Sequence, residues 1–291
     1  MLKRINWKAV LYVTIWVLCL SGLLVFMSFI EVQKSEQRCT DVKVMIPGNR
    51  SFIDRAELDS ILLAQEGPLV GRMLNKINIQ LLENALKANP FIEMARIYAD
   101  MDGVVHVNIE QREPVLRVLN FANQDFYIDR NGLKIPTSEN FTARVLVASG
   151  LILEGFNDKV DTLSTSLARD LYTIATFIEK DTLWNDQIEQ LYVNGQNEIE
   201  MVPRVGNHKI VLGNADSLNV KFRNLLHFYK EALPAAGWDA YKTISLKYAS
   251  QIVCEKNPLI ATDSTTTSTA VPKQIADTIK LTKTLTKTVK N

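Results

Sequence analysis

Between Lys8 and Glu31 the chain carries no charged residue, and that run constrains how everything after it can fold. Ala9 to Ile30 is apolar and long enough to cross a hydrocarbon core as a helix of ~20 residues. A cleavable signal has a shorter apolar stretch and a small-residue cleavage site. Here the exit reads "FIEVQKSEQ", with nothing small where a peptidase would cut. Lys3, Arg4 and Lys8 precede the run, which puts the short N-terminus on the cytoplasmic side. A buried helix of a soluble protein is the alternative reading. No second apolar run of that length occurs. The predicted layout is a cytoplasmic N-terminus over 1–8, one transmembrane helix over 9–30, a polar stalk over 31–38, and an exported remainder.

Composition fits an ordinary globular exported region. The 33 basic and 32 acidic residues leave a net charge of +1, which gives no electrostatic case for nucleic acid as a partner. Cys19 falls in the apolar run, so Cys39 and Cys254 are the only exported cysteines. A disulfide scaffold is excluded, and whether these two pair stays open.

A first unit is expected over 39–113. Val42, Val44 and Ile46 alternate as a strand that Pro47-Gly48 stops. Asp54 can cap a helix carrying Leu58, Ile61 and Leu62, and Asn78 a second one with Leu81, Leu82, Ala85 and Leu86 inward. Pro90 closes it. Then "NPFIEMARIYADMDGVVHVNIEQREPVLRV" alternates as a hairpin. Ala95, Ile97 and Ala99 face one way with Val105, Val107 and Ile109, Asp102-Gly103 makes the turn, and Met94, Arg96, Tyr98, His106 and Asn108 form the polar face. The order is β-α-α-β-β, with the apolar face as core and the polar face open to solvent or a partner.

An anchor, that element order and this hairpin together resemble the POTRA domain of the FtsQ/DivIB family of bacterial cell-division proteins. "QREPV" (Gln111 to Val115) is similar to the phrase by which that family passes into its second domain. POTRA units also precede large β-barrels in outer-membrane assembly proteins, for which this chain is too short.

The second unit is expected over 114–256 as a mostly antiparallel β domain with two packed helices, so the fold class is α+β. "DFYIDRNGLKIP" reads as two strands about an Arg-Asn-Gly turn, and "ARVLVASGLIL" as a central strand. Leu163, Leu167, Leu171, Ile174 and Ile178 mark a helix capped by Asp161 or Ser164. Three short strands follow, then a helix from about Ser217 to Leu233, then one extended strand over Thr243 to Cys254. This order, and "KFRNLLHFYKEALPAAGWDAYKTISLKYASQIV", are similar to the β domain of FtsQ/DivIB. The tail over 257–291 is rich in Thr and Lys, without an aromatic residue, and is expected to be largely disordered. Leu281, Leu285 and Val289 could line one side of a transient helix there.

No catalytic constellation is visible. His106, His208 and His227 lie in three different elements, and no H-E-x-x-H or Cys/His ligand spacing occurs, so no metal and no cofactor is expected. There is no G-x-S-x-G elbow, no S-x-x-K and no phosphate-binding glycine loop.

A tethered chain of two small αβ units without an active-site pattern is read as a non-enzymatic binding scaffold. An exposed last strand offers unpaired backbone groups to an incoming strand, with Ile244, Leu246 and Tyr248 on one side and Thr243, Ser245 and Lys247 on the other. The resemblance implies that this end of the β domain captures FtsB/FtsL-type single-pass coiled-coil proteins in the inner membrane at the division septum. "SLKYAS" looks like the family's partner-binding strand, which carries over Lys247, Tyr248 and Ser250. Arg96, Tyr98 and His106 are candidates for a docking face on the first unit. Two alternatives stand beside this reading: a POTRA-bearing export or assembly factor handling client polypeptides, and a tethered periplasmic wall hydrolase.

Overall fold

The computed structural model describes residues 7–35, 37–48, 52–248, 251–258 and 278–280. Lys3, Arg4, Ser250 and the suggested helical stripe of Leu281, Leu285 and Val289 lie outside the described residues. The chain divides into two units, Met1–Gln111 and Arg112–Asn291.

Helix α1 runs from Trp7 to Ser35. Its described side chains between Leu11 and Val25 are exposed and overwhelmingly apolar, among them Leu11, Tyr12, Ile15, Trp16, Leu20, Leu24 and Val25. Among the described residues, no helix is long and apolar enough to cross a membrane.

The rest of the first unit is β1 (Asp41–Met45), α2 (Arg55–Glu66), α3 (Ile79–Lys87), β2 (Ile92–Ala99) and β3 (Val104–Gln111). The sheet order is β1-β3-β2, with β1 parallel and β2 antiparallel to β3. Both helix starts follow from side-chain caps: Asp54 accepts from Glu57 N and Asn78 from Leu81 N. Leu58, Leu62, Leu82 and Leu86 pack on Ala95, Val107 and Ile109, and each buried leucine contributes roughly 1.5–3 kcal/mol. Leu81, expected inward, is instead exposed. It lies in the first turn of α3, where its N–H serves the cap, and the buried stripe runs through Leu82 and Leu86.

The β2–β3 turn is pinned by Asp100, whose carboxylate accepts from Asp102 N and Val104 N. Glycine is required at 103, where φ is +85° and an added Cβ would lie 2.5 Å from the Arg38 carbonyl oxygen. Side chains blunt both edges of this small sheet. Ile97 N on β2 donates to Glu83 Oε1, and Arg55 Nη2 donates to Val42 O on β1.

The second unit is built on an 11-stranded sheet of order β14-β13-β12-β11-β10-β9-β7-β4-β5-β6-β8. Its strands are β4 (Pro114–Leu119), β5 (Asp125–Asp129), β6 (Leu133–Pro136), β7 (Leu146–Gly150), β8 (Asp161–Thr162), β9 (Ile188–Val193), β10 (Ile199–Pro203), β11 (Lys209–Gly213), β12 (Tyr241–Ser245), β13 (Gln251–Lys256) and β14 (Thr278–Lys280). Parallel pairing is confined to β4–β7, β7–β9 and β11–β12. The apolar run of β7 is central, as its composition predicts.

Helix α4 (Ser166–Glu179) packs Leu171, Ile174, Ala175 and Ile178 on the sheet, and α6 (Leu218–His227) packs Phe222 and Leu225. The cap of α4 is Thr165, which accepts from Ala168 N, rather than Asp161 or Ser164. A short helix α5 (Thr182–Gln187) buries Trp184 against the same core. The helix expected to run on to Leu233 widens instead into a π turn over Phe228–Ala232 before α7 (Leu233–Ala236). Pro234 has no N–H to offer Lys230, and one wide turn absorbs that loss.

Candidate functional site

The last part of the sheet departs from the sequence expectation in one respect. Thr243 to Cys254 is two strands, β12 and β13, joined by a reversal. Gln251 N reaches back to Tyr248 O at 3.4 Å. Alternation across "TISLKYAS" suggests continuity, but β12 is held by β11 through Ile210↔Ile244 and Val211↔Ser245, and Leu246 N donates to Val211 O at 2.8 Å. Leu246 is thereby committed to the core, and the chain turns after it.

Each candidate residue then takes a distinct place. Ile244 and Leu246 are buried in the main core. Their side chains hold β12 in position from behind. Lys247 is half-exposed and pairs with Glu198, so its ammonium is partnered within the chain. Tyr248 is 54% exposed at the reversal, with no burial to explain an aromatic there. Ser250 lies outside the described residues.

Because β12 is flanked by β11 and β13, the last strand of full length at this end of the sheet, among the described residues, is β13. It pairs with β12 through Ile244↔Cys254 and Ser245↔Val253. Ile252 is buried, Gln251, Val253 and Cys254 are half-buried, and Glu255 and Lys256 are exposed. Burial pushes the Cys254 thiol up to about 11, so it is a packing residue rather than a nucleophile. Cys39 and Cys254 are both free thiols. The far end of β13 is fixed by Asn257, whose backbone N–H donates to Ala240 O and whose side chain donates to Asp239 O. Beyond β13, among the described residues, the sheet has only the three residues of β14, matched Gln251↔Lys280, Ile252↔Ile279 and Val253↔Thr278. The opposite end of the sheet finishes on β8, two residues long, too short to act as a template.

Two domain families match this chain. Residues 113–255 match the FtsQ/DivIB C-terminal related family, and residues 37–110 match the POTRA-like domain. The chain belongs to the FtsQ/DivIB family. Comparison with curated proteins gives no match. Membership carries with it a scaffold role in cell division and interaction with other division proteins.

On the POTRA-like unit of this FtsQ/DivIB chain, the three candidate docking residues share the polar hairpin face. Tyr98 and His106 are cross-strand partners with stacked rings 4.9 Å apart, and Arg96 is exposed opposite Asn108. His106 Nε2 lies 2.9 Å from Asp100 Oδ2, and that hydrogen bond draws the Asp100 carboxyl below the usual range. The histidine is thereby tied to the turn.

The charged groups buried in the β domain have structural partners. Glu154 accepts from Lys134 Nζ, from the backbone and hydroxyl of Ser164, and from the backbone and hydroxyl of Thr165. Burial pushes its carboxyl up, but Lys134 and these donors outweigh it and hold the group at about 2. Lys221 donates to Leu212 O and Asn214 O at the end of β11. Sequence reasoning missed both groups, because the partners lie on other elements and no local motif announces them. Among the described residues, no group of three or more His, Cys, Asp or Glu could hold a metal ion.

Proposed function

We propose that this FtsQ/DivIB-family chain is a non-enzymatic, single-pass scaffold of the bacterial inner membrane that captures FtsB/FtsL-type proteins by strand addition at β13. Ala9–Ile30 serves as its anchor, with the N-terminus cytoplasmic and both folded units periplasmic at the septum. Support for the anchor is the charge-free run and the apolar surface of α1 from Leu11 to Val25.

The observation that carries the reading is the position of β13: it is the last full strand of the large sheet, with a three-residue strand beyond it. Strand addition needs an edge of useful length, a rigid sheet behind it and side-chain sites for selectivity. Here β13 is six residues long, Ile244 and Leu246 anchor the strand behind it, and Tyr248 stands exposed at its entry. The edges of the POTRA-like sheet are blunted by Glu83 and Arg55, which favours the β domain over that unit as the place of strand capture. Handling of client polypeptides and wall hydrolysis have no comparable supporting feature.

The test is capture of the organism's FtsB/FtsL ectodomains by the detergent-solubilised full chain, wild type against Tyr248→Glu and Val253→Pro, with circular dichroism and thermal melting as fold controls. Proline at 253 removes one backbone donor and strains the ladder. Loss of capture by a variant that melts like wild type supports the edge. Undiminished capture by both folded variants contradicts it.

A further inference from the structure

The strand beyond β13 comes from the chain's own tail. A segment whose composition predicts disorder places Thr278–Lys280 antiparallel on β13, in register over Gln251, Ile252 and Val253. We propose that this tail strand is a built-in competitor for the β13 edge, so that a partner strand must displace it to bind. The inference rests on the reading of β13 as the partner-binding edge, and it adds a regulator to that edge.

Three observations support an intramolecular occupant. The register covers the N-terminal half of β13, next to the exposed Tyr248, where an incoming strand would begin to pair. Asn257 fixes the end of β13 on Ala240 and Asp239, so the tail leaves the folded domain beside the edge to which it returns. The connection, 257–277, is about twenty residues, whose covalent reach of at most ~70 Å far exceeds the gap it must close. The return from Lys256 to a point opposite Val253 needs only about 10 Å along the strand and ~5 Å across it. A tether that readily spans the gap gives an effective concentration in the millimolar range, so even three residues of pairing can hold the edge.

The occupant is also easy to displace. Three residues make few ladder bonds, and of Thr278, Ile279 and Lys280 one alone is an apolar residue. A partner strand that pairs along all six residues of β13 would outcompete it. Apparent partner affinity is then reduced by the fraction of chains whose edge is closed.

The experiment uses the full chain in detergent, wild type against Ile279→Pro, with two readouts. The first is hydrogen exchange of the Gln251–Lys256 amides without partner. The second is binding of the co-expressed FtsB/FtsL ectodomain pair. Circular dichroism and thermal melting check that the substitution leaves both units folded. The account expects exchange at the edge amides to rise severalfold in Ile279→Pro, and the apparent Kd to tighten roughly three- to tenfold. Unchanged exchange would overturn the proposal. Protection that depends on protein concentration would assign the strand to a neighbouring copy and overturn it as well. Faster exchange with equal partner affinity in both chains would overturn the competition alone. No partner binding by either chain would overturn the reading of the edge on which it rests.

Discussion

Lys247 hydrogen-bonds Glu198, and its stem covers Gly213, where an added Cβ would lie 3.3 Å from Lys247 Cγ. The hydrogen bond holds the Glu198 carboxyl below its ordinary range and the Lys247 ammonium above its own. The residue that resembles a partner contact is thus also a clamp between the end of β12 and the β9–β10 turn. Lys247→Met should return Glu198 toward an ordinary glutamate titration, read by carbon-13 NMR of the side-chain carboxyl. An unshifted Glu198 titration would contradict the contact.

Glu154 predicts the acid limit of the β domain. Its folded carboxyl sits at about 2 against an ordinary 4.5. A depressed carboxyl contributes stability that is complete above pH 4.5 and is lost as pH falls toward 2, amounting to about 3 kcal/mol. Urea unfolding of Glu154→Gln should therefore show a weaker pH dependence in that window, from a lower starting stability. A variant curve parallel to wild type would remove Glu154 as the cause.

A second acid sensitivity begins at higher pH. His208 is buried and shares a 2.9 Å hydrogen bond with the Tyr229 hydroxyl. Burial pushes its imidazole below the ordinary 6.5, against weaker opposing pulls from the Trp238 backbone and Asp239. The unfolded chain then binds the proton first, so stability is complete above pH 6.5 and declines below it. In His208→Gln the melting temperature should be flat between pH 7 and the onset of carboxylate titration. A decline equal to that of wild type would place the sensitivity elsewhere.

Asp129 organises the β5–β6 hairpin. One carboxylate oxygen accepts from Asn131 N and Leu133 N, and the other accepts from Arg112 Nη1 at 2.8 Å. The side chain is 1% exposed. Removing one member of a buried pair costs about 3–5 kcal/mol, because the other is left unpaired. Asp129→Ala should lower unfolding free energy by that order in urea titration, and a loss below 1 kcal/mol would contradict this role.

The legible parts of this fold were those that local rules dictate. Alternation at Ala95, Ile97, Val105, Val107 and Ile109 marks the hairpin, and Asp54 and Asn78 mark the helix starts. The break between β12 and β13 was not legible, because the alternation continues through Leu246 and Tyr248 while the reversal is imposed by β11. The Lys134–Glu154 pair joins β6 to the β7–β8 connection, and only tertiary pairing brings the two together. Thr278–Lys280 escaped notice because three residues in a Thr/Lys tail carry no period. At the site, Tyr248 could be singled out from the resemblance, but the identity of the edge strand required the sheet order.

The most direct test of the scaffold reading is photo-crosslinking in dividing cells, with a benzophenone amino acid at Gln251 on β13 or at Thr162 on β8. Gln251 lies on the last full-length strand at one end of the large sheet, beside β14, and Thr162 on the strand that closes the other end. The account predicts a covalent adduct with FtsB or FtsL from position 251 and none from 162. Adducts from 162 with none from 251 would contradict it.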